Sequence, residues 1–166
     1  MGSLRIAFLD PWVYAADGDR EKRPLSAVTT RGSHIHATLS IVVDGRPLPM
    51  LGYWGPDDAC LGHWAAELGR AVKTLSAPGA GRYVYDEGEQ GQPAFVFECQ
   101  GAELRVSIGD SELGDGMGIP EWGVQTCDFG DFVEQVERFI DALESAIEAA
   151  ASGAAKVWLK ANRIAP

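Results

Sequence analysis

The strongest constraint in this chain is an unbroken apolar stripe near its C-terminus. Phe129, Phe132, Val133, Val136, Phe139, Ile140, Leu143 and Ile147 recur at three- and four-residue steps over five turns, which is the spacing of one buried helix face. Asp128 stands where an N-cap belongs, and Ser152-Gly153 stands where the helix should stop. Such a stripe needs a broad apolar surface to cover it, and the upstream sequence supplies strands. Ile35, Ala37, Leu39, Ile41 and Val43 alternate with His34, His36, Thr38 and Ser40, the period-two pattern of a strand buried on one side. Asp44-Gly45 follows at once and provides the positive φ angles of a tight hairpin. The return strand carries Pro47 and Pro49 and therefore belongs at an edge.

Further elements complete the pattern. Arg5 to Leu9 reads as a strand stopped by Asp10-Pro11. Asp57 is placed to cap a helix in which Leu61, Trp64, Ala65, Leu68, Val72 and Leu75 share a face, ended by Pro78-Gly79. Arg82 to Tyr85, Ala94 to Cys99 and Glu103 to Ile108 read as strands, the last two joined at Gln100-Gly101, and Trp122 to Cys127 as one more. The expected fold class is α+β: an antiparallel β-sheet of about six to seven strands packed on one face by two α-helices. At 166 residues the chain fits one domain, 1–166, with 15–31 a mobile loop and 153–166 a C-terminal tail that docks or frays.

Charge is unevenly distributed. Of the net −10, the segment 86–148 alone carries sixteen Asp and Glu against two Arg, whereas the first 85 residues nearly balance, with nine Lys and Arg against eight acids. An acidic field of this kind repels nucleic acid and anionic lipid and favours basic partners. The opening residues lack the features of a secretory signal and no stretch approaches the roughly 20 apolar residues of a membrane span, so a cytoplasmic location is expected. Cys60, Cys99 and Cys127 are odd in number and far apart, which fits reduced thiols.

No motif for chemistry is complete. Gly109-Asp110-Ser111 resembles the nucleophile block of the GDSL esterases, but no histidine follows His63 to serve as the base. Asp110, Glu112 and Asp115-Gly116 miss the spacing of an EF-hand, and the run 114–118 lacks the Lys-Ser/Thr of a P-loop. Cys60-x-x-His63 together with His34 and His36 offers four zinc donors, but nothing in the sequence brings the two pairs together. These readings give no catalytic residue, no metal site and no cofactor. Of the five tryptophans, Trp64 belongs to a helical stripe, while Trp54 and Trp122 sit in Gly- and Pro-bounded segments where a large ring can anchor an interface.

Several segments together resemble a known class of proteins: the hairpin Ile35 to Met50, the helix with Leu61-Gly-His-Trp64-Ala-Ala-Glu-Leu68, the strands Phe95-Val-Phe97 and Leu104-Arg-Val-Ser-Ile108, and the helix Phe129 to Leu143. From about His36 to Glu148 the chain looks like small immunity proteins of bacterial contact-dependent and polymorphic toxin systems. That resemblance implies neutralisation of a toxin domain by tight one-to-one binding. A nuclease toxin has a basic cleft for phosphates, which an acidic surface can occupy in the substrate's place. The expected partner-binding residues are Asp86, Glu87 and Glu89 in one loop, Asp110, Glu112, Asp115 and Glu121 in another, and Trp122 as the desolvated anchor. Neither nucleic acid nor membrane is an expected partner. Two alternatives stand beside this reading: a small-ligand pocket lined by Trp54, Tyr83, Tyr85 and Trp122, and an enzyme using a carboxylate pair such as Glu98 with Asp110. The sequence sets no oligomeric state.

Overall fold

Strands whose inward positions are all apolar need helices to cover them, and in this protein two helices cover two sheets at once. The computed structural model describes residues 2–14, 21–29, 33–79 and 81–164. In chain order the elements are β1 (Leu4–Tyr14), β2 (Lys22–Pro24), β3 (Ile35–Val43), β4 (Arg46–Pro47), β5 (Ala59–Cys60), α1 (Leu61–Leu75), β6 (Arg82–Tyr85), β7 (Ala94–Gln100), β8 (Glu103–Gly109), β9 (Gln125–Asp128), α2 (Phe129–Ala150) and α3 (Ala155–Ala161). The α+β class holds, and every strand pairing among the described residues is antiparallel.

The expected single sheet is instead two. One has the order β2-β1-β3-β4 with β5 also on β3, and the other is the meander β6-β7-β8-β9. The first sheet ends because the outer edge of β3 is taken by β4 and β5, strands of only two residues each. Helix α1 packs on β3 and β5 of the first sheet and on β6 and β7 of the second, while α2 packs on β1, β8, β9, α1 and α3. Their buried faces merge with both sheets into one apolar cluster. Asp128 caps α2 as expected, its carboxylate accepting from the amides of Gly130 (2.8 Å) and Asp131 (3.2 Å).

Four local expectations change. Strand β1 runs past Asp10-Pro11 to Tyr14 through a bulge between Leu9 and Trp12. There Asp10 takes φ 52° and the proline, which has no N–H to donate, falls where the ladder is interrupted. Within 15–31, Lys22–Pro24 forms β2 on β1 and Leu25 and Val28 are buried, while residues 15–20 and 30–31 lie outside the described residues. Helix α1 begins after Cys60 rather than at Asp57, because 59–60 is drawn into extended pairing with β3. Strand β9 begins at Gln125, and Trp122 closes a 3-10 turn, Pro120–Trp122.

Three buried tryptophans fasten irregular segments to this frame through their indole N–H groups, the usual need of a buried Trp. Trp64 donates to the Leu51 carbonyl (2.7 Å), Trp122 to Pro47 (2.9 Å) and Trp158 to Ser33 (2.8 Å). The last of these docks the C-terminal α3. Among the described residues no helix is long and apolar enough to cross a membrane.

A shared core predicts shared stability. Leu143 is fully buried on α2, and Leu143→Ala should cost about 3 kcal/mol. Urea unfolding followed by fluorescence and by far-UV circular dichroism should show one transition, shifted equally in both signals. Two separated transitions would mean that the sheets are stabilised independently.

Candidate functional site

The acidic loops are brought together by one side chain. Asp86 leaves the end of β6 and its carboxylate accepts four hydrogen bonds: from the amides of Gly88 (3.1 Å), Glu112 (2.7 Å) and Leu113 (3.2 Å) and from the Ser111 hydroxyl (2.8 Å). Loop 86–92 is thereby latched onto loop 110–118. Asp115 strengthens the latch by accepting from the Gly91 amide (2.8 Å), and Asp110 closes its own loop by accepting from Gly118 (2.7 Å). The Gly-rich run exists for this packing. A Cβ at Gly116 would lie 1.7 Å from the Gln92 carbonyl oxygen, so only glycine allows the loops to approach.

Partial desolvation opposes ionisation of Asp86, but the hydrogen bonds from Ser111, Glu112, Gly88 and Leu113 outweigh it and hold its carboxyl below the usual carboxylate range. Ser111, whose hydroxyl is committed to Asp86, also accepts from the amides of Leu113 (3.2 Å) and Gly114 (2.8 Å). Its role here is that of a turn residue.

The expected site residues therefore divide. Asp86, Glu87, Glu89, Asp110, Glu112 and Asp115 are gathered on the two latched loops. Among the described residues, the carboxylates of Glu89, Glu112 and Asp115 form no ion pair, and Glu87 pairs with His63 (3.0 Å). Trp122 is not available as an anchor: it is 5% exposed and seated on Pro47. Glu121 beside it is held against β4 through its backbone, with Arg46 donating to the carbonyls of Trp122 (2.8 Å) and Glu121 (3.3 Å). The exposed anchors are others. Leu113 (73% exposed) and Met117 (79%) project from the acidic loop, and Trp54 (70%) stands with Tyr53 at the rim of the adjoining cleft.

That cleft has a volume of about 870 Å³, within the range of small-molecule sites. Its walls include Tyr14, Trp54, Trp64 and Tyr85, and Glu87 and Glu89 stand at its acidic side. Only Trp54 and Tyr85 of the four aromatics expected in a pocket line it. Tyr83 turns to Glu67 on α1 and donates its hydroxyl there, and Trp122 is buried elsewhere. The carboxylates of Glu98 and Asp110 belong to opposite ends of the β7–β8 ladder, where Glu98 faces Arg105 and Gly109 faces Ala94, so they form no catalytic pair.

The cleft also holds a cluster the sequence left apart. Strand β5 pairs with β3 so that Cys60 lies opposite His36, and His34 is two residues from His36 on the same side of β3. One donor atom from each of His34, His36 and Cys60 lies within 4.8 Å of the others. The His34 Nδ1 is 4.0 Å from the Cys60 Sγ, and the His63 ring is 6.1 Å from that of His34. Asp58 fixes His36 by accepting from its Nδ1 (2.8 Å) and is itself fixed by the Tyr14 hydroxyl (3.3 Å). Burial lowers the His36 pKa and the Asp58 carboxylate only partly offsets it. Burial also pushes the Cys60 thiol up. The hydrogen bond to Glu87 raises the His63 pKa, and the same bond holds Glu87 down.

Searches of protein-family models, curated proteins and solved structures give no match to this chain.

Removing the latch should loosen the loops without unfolding the core. Asp86→Ala should speed amide hydrogen exchange at Gly88, Glu112 and Leu113 and lower global stability by about 1 kcal/mol. Because the folded pKa of Asp86 is depressed, its contribution is present above the unfolded carboxyl pKa and is lost as pH falls through the lowered folded value. Exchange at these amides, corrected for its intrinsic pH dependence, should stay slow down to that point and then rise. Unchanged exchange in Asp86→Ala would show that other contacts hold the loops.

Proposed function

We propose that this protein binds and neutralises a basic protein domain through the latched loops, in the manner of the bacterial immunity proteins its sequence pattern resembles. The observation that carries the reading is the combination of carboxylates that form no ion pair among the described residues with exposed apolar side chains on the latched loops and on the rim of the adjoining cleft. Glu89, Glu112 and Asp115 provide the field that steers a cationic partner, and Leu113, Met117 and Trp54 provide surface to be desolvated. Neither feature alone distinguishes an interface from a solvated surface. A loop held rigid by four hydrogen bonds to Asp86 presents both with little ordering cost on binding. A basic cleft shaped for nucleic acid is the complementary partner, which makes a nuclease toxin domain the favoured class.

The second acidic surface, the outer face of α2 with Glu134, Glu137 and Asp141, serves as the internal control. It carries exposed acids of the same sign, but Arg138 donates to Glu134 (2.5 Å), and α2 presents no exposed large apolar residue. Like-charged groups along such a helix are explained by solvation alone.

A binding-kinetics series tests the reading against the basic protein domain that co-purifies with this chain from its native host. Glu87, Glu89 and Glu112, whose carboxylates do not accept from loop amides, are changed together to lysine. Association should slow by about tenfold or more at low salt, and its dependence on ionic strength should flatten. Trp54→Ala should act mainly on dissociation, weakening binding by about 30-fold. Reversal of Glu134, Glu137 and Asp141 should change association much less. Equal effects from loop and helix variants, or none from the loops, would reject the proposed surface.

A further inference from the structure

The His34, His36 and Cys60 cluster has the composition and placement of a transition-metal site, and it needs no protein partner to form. The donors are two imidazoles and one sulfur, a soft set that selects zinc-like ions over magnesium or calcium, which take oxygen ligands. Their positions are set by the backbone. His36 and Cys60 are directly paired across β3 and β5, and His34 follows on the same side of β3. The neighbouring residues Ile35, Ala37 and Ala59 are fully buried and anchor the two strands. Metal–ligand lengths of about 2.0–2.3 Å imply donor–donor separations of about 3.5 Å in a tetrahedral site. The 4.0 Å between Cys60 Sγ and His34 Nδ1 is therefore within a small side-chain adjustment of closure, and one ring nitrogen of His36 lies within 4.8 Å of the donor atoms of both.

The surroundings carry a second, independent indication. Ligating histidines characteristically donate their other ring nitrogen to an oriented carboxylate. His36 does this: its Nδ1 donates to Asp58 (2.8 Å), leaving Nε2 as its donor atom, and Asp58 is braced by the Tyr14 hydroxyl. One side of the cluster opens on the 870 Å³ cleft. Three protein ligands with one open position are the arrangement in which zinc can still take a water or a donor group from a bound molecule.

We propose that His34, His36 and Cys60 bind one divalent zinc-type ion, oriented by Asp58 and with its fourth coordination position facing the cleft. Asp58 acts here as a positioning residue.

The test uses the full chain, stripped of metal with a chelator and kept reduced. Zn²⁺ is titrated by calorimetry and Co²⁺ by absorption spectroscopy. The expected result is one equivalent bound, with a thiolate-to-cobalt charge-transfer band and the intense visible bands of a four-coordinate site. Cys60→Ser should abolish the charge-transfer band, while Cys127→Ser should leave it intact. His34→Ala, at an exposed position that leaves the core untouched, should weaken binding more than Asp58→Asn, for which a loss of roughly 10- to 100-fold is expected. Circular dichroism of the metal-free variants should match that of the parent, which separates lost binding from lost folding. The proposal is overturned by an affinity weaker than about 10 μM, or by cobalt spectra that are the same in Cys60→Ser and His34→Ala as in the parent.

Discussion

Two residues of extended backbone, Ala59 and Cys60, pair with Ala37 and His36 of the central strand β3 and so decide where α1 begins. The consequences spread from that point. Helix α1 is pinned at its first turn to the first sheet and lays its apolar face across the second, against β6 and β7. The end of β6 then delivers Tyr85 and Glu87 to the cleft and Asp86 to the latch beside it. The same pairing sets Cys60 opposite His36. Both the metal-capable cluster and the acidic surface thus depend on a contact of two residues, supported by the core that α1 and α2 share.

Elements with a strong local period were legible in the sequence. The α2 stripe from Phe129 to Ile147, the alternating β3, the Asp44-Gly45 turn with φ of 49° and 77°, and the β7–β8 hairpin, whose turn falls at Gly101-Ala102 rather than at the expected Gln100-Gly101, follow from the spacing of apolar residues and from turn chemistry. Elements decided by tertiary contact were not. Asp10-Pro11 looks like a strand stop, yet a bulge carries β1 through it, because the pairing of Trp12 and Val13 with β3 outweighs the local break. Asp57 looks like a cap, yet the pull of β3 on residues 59–60 delays the helix. The division into two sheets depends on how short β4 and β5 are, and no single residue states that.

For the site, the acidic segment was legible as charge but not as geometry. The gathering of Asp86, Glu112 and Asp115 depends on hydrogen bonds across some 25 residues of sequence, with the Asp86 and Asp115 carboxylates as the fasteners, while Asp110 closes its own loop by accepting from Gly118. Several of these carboxylates therefore have a structural task as well as an exposed charge. Trp122 shows the limit of reading an aromatic from its flanks: Gly and Pro around it mark a 3-10 turn whose ring turns inward to Pro47. The donors His34, His36 and Cys60 were each visible. What joined them was strand register, which could have been foreseen only by recognising that Ala59-Cys60 is extended rather than helical.

The claim on which the functional account turns is that the latched loops, and not the acidic flank of α2, meet the partner. Hydrogen-exchange footprinting of the free protein and of its complex with the basic domain that co-purifies with it tests this directly. New protection is expected in residues 50–54, 86–92 and 110–118, with little change along the exposed side of α2. Protection confined to α2, with those three segments exchanging as they do in the free protein, would contradict it.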